Sequence, residues 1–245
     1  GNGDDTLTNS KTINGDVILG DGNNKVTNSG TITGTLELGD NDNKVTNSGT
    51  ITGILLTGTG NDIVVNSGVI GDDVNLNDGD DTLTNTKTIT DDVLLGDGHN
   101  KLINSGAIGG DVTAGTGDDT VTNSKTIGGN VNLGAGANTL TNSGTIAGAV
   151  TLGAGDDIFK NTGTVLGIID LGNDDDTFVG GAKAETVADG NGKDSYSLGA
   201  GNDVYIATGH TGTDDDDTID RGLGIHTYDA SAATNAGSIN LDNAG

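Results

Sequence analysis

The chain has 245 residues, 45 of them Gly, with no Pro, Cys, Met or Trp, and its 36 acidic and 10 basic residues give a formal charge of −26. Without Cys there is no disulfide framework and no thiolate metal site, and the three scattered histidines, His99, His210 and His226, give no basis for a zinc site. So negative a chain repels nucleic acid and anionic lipid, and no apolar run approaches the ~20 residues that span a membrane. With neither an initiating Met nor a recognisable signal peptide, the chain reads as part of a longer or processed protein.

From the first residue the sequence repeats. Gly1, Gly20, Gly39, Gly58, Asn77, Gly96, Gly115, Gly134, Gly153 and Gly172 are each 19 residues apart, so 1–171 holds nine repeats without insertion. A short fixed period signals a solenoid. Within a turn, position 7 runs from Leu7 to Phe159 and is always Leu, Val or Phe; position 13 is Ile or Val, and position 17 is Val, Leu or Ile. Position 19 is Leu except at Thr57 and Ala114. Polar residues alternate with these, which is the period-two pattern of strands. Three short strands per turn are predicted, near positions 5–9, 12–14 and 16–19, separated by Gly-rich or Asn-Ser-Gly corners. Frequent Gly without a 3.6-residue period argues against helix.

One turn cannot bury four aliphatic side chains alone, so the turns must stack. At about 4.8 Å per turn, nine make a rod roughly 43 Å long. The predicted fold is all-β, a right-handed parallel β-helix over 1–171. Position 9 is Asn in every turn, Asn9 to Asn161, in the inward phase of position 7. Stacked amides there should bond from turn to turn, because an unpaired buried amide is costly.

Positions 1–7 read G-x-G-x-D-x-U, with U apolar, as in Gly1–Leu7 and Gly115–Val121. Gly allows the tight turn and turns carbonyls outward, while Asp adds a carboxylate at the strand start. Stacked loops of this kind form a hard, oxygen-only cage suited to Ca²⁺. Position 5 is mixed: Asp5, Asn24, Asn43, Asp62, Asp81, Asn100, Asp119, Asn138, Asp157 and Asp176. Lys25, Lys44 and Lys101 follow three of the Asn residues, and these turns read as weak or empty sites where an ammonium replaces part of the cation charge. The best solenoid sites are expected between Asp62 and Asp81 and between Asp157 and Asp176. The alternative is a solvated acidic edge that needs no metal.

At Gly172 the period shortens. GNDDDTFVG, GAKAETVAD, GNGKDSYSL and GAGNDVYIA follow at nine residues; after the spacer Thr208–Gly212 come TDDDDTIDR and GLGIHTYDA. Their acid column is Asp176, Glu185, Asp194, Asp203 and Asp217, with His226 in the last place. Their apolar column is Phe178, Val187, Tyr196, Tyr205, Ile219 and Tyr228. Two nonapeptides make one 18-residue turn, so Asp176 should face Asp194 and Glu185 should face Asp203. The expected units are a nine-turn solenoid over 1–171, a nonapeptide roll over 172–230, and a terminal strand segment over 231–245.

These nonapeptides resemble the calcium-binding repeats of RTX (hemolysin-type) proteins, G-G-x-G-x-D-x-U-x, closely over 172–206 and less so over 213–230. The resemblance implies that the β-helix continues into an RTX-type calcium β-roll with Ca²⁺ between turns. It also implies type I secretion from a Gram-negative cell, with folding on meeting external calcium. Together with the residue chemistry it gives a candidate calcium set of Asp5, Asp62, Asp81, Asp119, Asp157, Asp176, Glu185, Asp194, Asp203 and Asp217. The second half of each 19-residue turn, as in Asn28–Gly34, looks like repeats of bacterial surface adhesins and autotransporter passengers.

Residues 1–171 contain no Arg, Tyr or Trp and no loop insertion. The acid–base groups, cation clamps and stacking aromatics of polysaccharide-cleaving β-helices are therefore lacking, and no enzyme is expected. Ice binding would require a flat outward Thr array. Thr6/Thr8, Thr82/Thr84, Thr120/Thr122 and Thr139/Thr141 make a partial row, interrupted by Lys25, Lys44, Ile63, Lys101 and Ile158. The expectation is a secreted, calcium-stabilised structural or adhesive module of an extracellular fibre, matrix, surface layer or adhesin, self-associating, with cell-surface polysaccharide as a further candidate partner. A calcium-binding module of a secreted polysaccharide-active enzyme and an ice-binding solenoid are the alternatives.

Overall fold

The computed structural model describes residues 1–208, 217–232 and 240–242. The predicted spacer residues 209–212, the acidic run at 213–216 and the stretch 233–239 lie outside them. The described chain is all-β, and every strand pairing is parallel between successive turns, as in Leu7↔Val26, Ile13↔Ile32 and Val17↔Leu36. The first turn contributes Thr6–Asn9, Thr12–Ile13 and Val17–Ile18, and the pattern recurs to build sheets of 13, 9 and 12 strands. The three predicted strands per turn are present, with the middle one only two residues wide. Among the described residues no helix is long and apolar enough to cross a membrane.

The coil narrows where the sequence period changes. The 9-stranded sheet ends at Thr164–Val165, and beyond it each turn has two strands. The 19-residue step persists through Phe159↔Phe178, then shortens to 18 at Ile169↔Val187 and Phe178↔Tyr196. It lengthens to 23 at Tyr196↔Ile219 and Tyr205↔Tyr228, so the spacer adds five residues to a turn without breaking the stack.

Positions 7, 13, 17 and 19 form four apolar columns, buried from the second turn onward; Val26, Ile32, Leu36 and Leu38 are all fully enclosed. Burial of each such side chain contributes on the order of 1.5–3 kcal/mol. Thr57 occupies a core position because its hydroxyl donates to the Leu76 carbonyl at 3.2 Å. From Phe159 onward rings replace aliphatics: Phe159 meets Phe178 edge-on at 5.6 Å, and Tyr196 meets Tyr205 at 5.0 Å.

The Asn row is a continuous buried ladder. Each Nδ2 donates to the Oδ1 one turn on, at 2.8 Å for Asn9 to Asn28 and 2.9 Å for Asn85 to Asn104. It also donates to a strand carbonyl of that turn, as from Asn104 to the Thr126 carbonyl at 3.0 Å. The last amide, of Asn161, has no Asn below it; its Nδ2 donates to Glu185 Oε1 at 3.0 Å. An aspartate's side chain is one methylene shorter, which accounts for Glu at this position.

Backbone conformation fixes the loops. Position 3 has positive φ in every 19-residue turn and at the start of the next, and its departures from Gly are Asn41 (φ 81°) and Asp174 (φ 77°). Asn77, the exception at position 1, has φ 60°. Asn and Asp are the non-Gly residues that best tolerate this region.

Candidate metal centre

Position 5 shares the inward phase of positions 7 and 9, and the structure turns its side chain into the coil. Asp62, Asp81, Asp119, Asp157, Asp176, Asp194 and Asp203 are all nearly inaccessible, and Asp217 is 8% exposed. The solvated acidic edge is therefore excluded for these groups; exposed acids occur at positions 2 and 4, as at Asp40 and Asp42, and at other corners, as at Asp16 and Asp91. Asp5, in the first turn, is the one predicted ligand that is exposed.

The column is bonded through one side-chain oxygen per turn. The backbone N–H of Asp5 donates to Asn24 Oδ1 at 2.9 Å, that of Asn43 to Asp62 Oδ1 at 2.7 Å, and that of Asp62 to Asp81 Oδ1 at 2.7 Å. The same bond links Asn100 to Asp119 at 2.8 Å, Asp157 to Asp176 at 2.7 Å, Asp176 to Asp194 at 2.8 Å and Asp194 to Asp217 at 2.8 Å. The opposite edge of the narrow turns repeats it: Glu185 N–H donates to Asp203 Oδ1 at 2.9 Å. Both predicted facings, Asp176 with Asp194 and Glu185 with Asp203, are present. His226 closes that second column, with Nδ1 3.1 Å from Asp203 Oδ2.

The second oxygen of most of these carboxylates behaves differently. Oδ2 of Asp62, Asp81, Asp119, Asp157 and Asp176, and Oε2 of Glu185, are buried without a hydrogen-bond partner, whereas Asp203 Oδ2 faces His226 Nδ1. Burial pushes the carboxyls of Asp62, Asp119 and Asp157 up to about 6, and Asp81, with Asp62 and Asp80 adding like charge, to about 7. Asp176, desolvated between Asp194 and Asp157, rises to about 8, as does Glu185 beside Asp203. A buried anionic oxygen without a donor is expensive, and a hard cation or a proton relieves it. The surrounding donors are oxygens, which suits Ca²⁺.

The Asn turns show what the second oxygen faces. Asn43 Nδ2 donates to the carbonyls of Gly39 at 3.0 Å, Asn41 at 2.6 Å and Thr57 at 2.9 Å. Asn24 reaches Gly20 and Leu38 at 2.7 and 3.0 Å, and Asn100 reaches Gly96 and Gly98 at 3.2 Å each. These are the carbonyls of positions 1, 3 and 19. The expected ammonium compensation is corrected accordingly: Lys25, Lys44 and Lys101 are exposed, and the group at the loop carbonyls is the amide nitrogen of Asn itself.

Two features escaped the sequence reading. Asp189, 4% exposed, brings a carboxylate oxygen within 4.8 Å of oxygens of Asp194 and Asp217, forming a second acidic group able to hold a metal. The Tyr205 hydroxyl donates to Asp189 Oδ1, and the Tyr196 hydroxyl donates to Asp194 Oδ2 at 3.0 Å. The recurring Asp-x-Tyr at Asp194–Tyr196 and Asp203–Tyr205 was the available signal. The other is the cap that Glu185 provides to the Asn ladder.

No family model matches the chain, and neither does any curated protein. Among solved structures it is similar to a hyperactive, Ca²⁺-dependent, β-helical antifreeze protein from an Antarctic bacterium. The TM-score is 0.57 at 22% identity, over 88% of this chain and 83% of that one. That likeness shows the parallel β-solenoid fold.

Proposed function

We propose that the chain is a calcium-stabilised extracellular β-solenoid whose work is structural or adhesive: a rod of fixed pitch that forms part of a fibre, matrix, surface layer or adhesin. The observation that carries this reading is the set of buried carboxylate oxygens without donors at Asp62, Asp81, Asp119, Asp157 and Asp176. Each lies in an oxygen-rich loop and calls for a cation. The similar structure is Ca²⁺-dependent, which supports calcium as that cation. Calcium would be held by these carboxylates and by loop carbonyls, and would supply positive charge where the loops stack. The RTX-like repeats support secretion from a Gram-negative cell, and the reading assigns no catalytic step. The test is a calcium titration followed by circular dichroism and light scattering, with EGTA reversal. Calcium-induced β structure or assembly that chelation undoes is expected; a spectrum and size indifferent to millimolar calcium would end the reading.

Ice binding is the second reading, favoured by the antifreeze protein above and by one row of this chain. The outward position of the 9-stranded sheet carries Thr12, Thr31, Thr50, Thr88, Thr126, Thr145 and Thr164, broken at Val69 and Ala107. This row is more continuous than the T-x-T row of the 13-stranded sheet, which Lys and Ile interrupt. Thermal hysteresis with ice-crystal shaping would support it, and loss of both in Thr88→Lys would place the ice face on this sheet.

A further inference from the structure

We infer that Asn24, Asn43, Asn100 and Asn138 are built-in substitutes for the cation, so that the choice of Asp or Asn at position 5 sets, turn by turn, which loops require metal. The inference rests on the calcium reading above and adds to it a role for residues outside the acid set. Asp and Asn place the same Oδ1 in the same bond: Asn24 N–H donates to Asn43 Oδ1 at 3.1 Å as Asn43 N–H does to Asp62 Oδ1 at 2.7 Å. They differ at the other side-chain atom. In Asn turns that atom donates to loop carbonyls, as Asn138 does to Gly136 at 3.0 Å and Leu152 at 3.4 Å. In Asp turns it is an oxygen, buried and without a partner at Asp119 and Asp157 on either side of Asn138. The Asn amide and a cation thus perform the same task, presenting positive charge to one set of carbonyls. An Asn turn is closed without metal; an Asp turn is closed with it.

The 19-residue coil therefore alternates self-closed loops with metal-requiring ones. Asn24 and Asn43 precede Asp62 and Asp81, and Asn100 and Asn138 flank Asp119. From Asp157 onward the column is Asp157, Asp176, Asp194 and Asp217 without an amide between them. Of these, Asp157 and Asp176 carry the unpartnered second oxygen that calls for metal, while Asp194 Oδ2 accepts from the Tyr196 hydroxyl at 3.0 Å.

Two substitutions with opposite effects test this on the full chain. Bound calcium per chain would be counted by isothermal titration, and thermal midpoints taken in EGTA and in saturating calcium. Asp119→Asn stands between two Asn turns. It should bind one calcium fewer than the wild type and melt higher in EGTA, because its new amide meets the carbonyls of positions 1, 3 and 19. Asn43→Asp should bind one more and melt lower in EGTA, with calcium restoring the midpoint. If the wild type binds calcium but Asp119→Asn loses none, or destabilises the EGTA state, the inference is overturned while the calcium reading survives. If the wild type binds none, both fall. Should Asn43→Asp not fold, the Asp119→Asn comparison decides alone.

Discussion

At position 5 the difference between an oxygen and an NH₂ group decides how a loop closes, and proton chemistry follows from it. Carboxyls raised to about 6 at Asp62, Asp119 and Asp157, to about 7 at Asp81 and to about 8 at Asp176 hold protons in the folded chain that the unfolded chain releases near the ordinary aspartate value of 3.8. The sign follows: without metal, their contribution to stability is greatest below the unfolded value and is lost as pH rises through 6 to 8. The melting temperature in EGTA is expected to fall from pH 5 to pH 8. In calcium the fall should vanish or reverse, because metal binding requires the deprotonated carboxylate. Melting curves across that range in both buffers check this. Glu185 makes a second residue-scale prediction. Glu185→Gln retains an oxygen for the Asn161 amide and removes a buried acid, so it should preserve or raise the EGTA midpoint. Glu185→Ala leaves that amide unpaired and should cost about 1–3 kcal/mol in chemical denaturation. That Asp62 and its equivalents point inward was legible in principle, since positions 5, 7 and 9 share one phase of the alternation. The chemical meaning of the Asp/Asn mixture was not, because it depends on carbonyls at positions 1, 3 and 19 that only the folded loop brings to one side chain.

The elements differ in what holds them. In the 19-residue turns each coil is tied by four apolar columns and by the Asn ladder, so a single break is felt over two turns. Asn104→Ala removes the acceptor of Asn85 and the donor to Asn123, each bonded at 2.8–2.9 Å. It should cost several kcal/mol at about 1–3 kcal/mol per orphaned group, read as a lower denaturant midpoint. Where the 9-stranded sheet stops, one apolar column and the Asn ladder stop with it, and carboxylates occupy the interior instead. Chelation should therefore open 172–208 and 217–232 before 20–150. Hydrogen exchange in EGTA is expected to show early loss of protection at Thr177–Val179, Thr186–Ala188 and Ser195–Ser197, with Thr82–Asn85 and Thr120–Asn123 still protected. The repeat length, the core columns and the 18-residue facings were readable because solenoid stacking converts sequence period directly into register. The loss of the middle sheet and the burial of Asp189 among tyrosines were not, since nine-residue spacing alone does not say which corner disappears.

For the whole molecule, the net charge of −26 and the interior carboxylates act in the same direction. Without cations the rod carries repulsion both on its surface, at positions 2 and 4 and at corners such as Asp16 and Asp91, and inside its loops. Salt screens the exposed acids but reaches the buried ones poorly. Sodium chloride should therefore not replace calcium in restoring the EGTA midpoint, whereas a mere surface-charge effect would respond to either. Whether cations sit inside the coil, beside the second oxygen of the position-5 aspartates, can be read from anomalous X-ray diffraction of crystals grown in calcium. Anomalous peaks are expected beside Oδ2 of Asp62, Asp81, Asp119, Asp157 and Asp176, and none at the amides of Asn24, Asn43, Asn100 and Asn138. Peaks confined to the exposed acids, or an ion-free column whose carboxyls donate protons to the loop carbonyls, would contradict that placement.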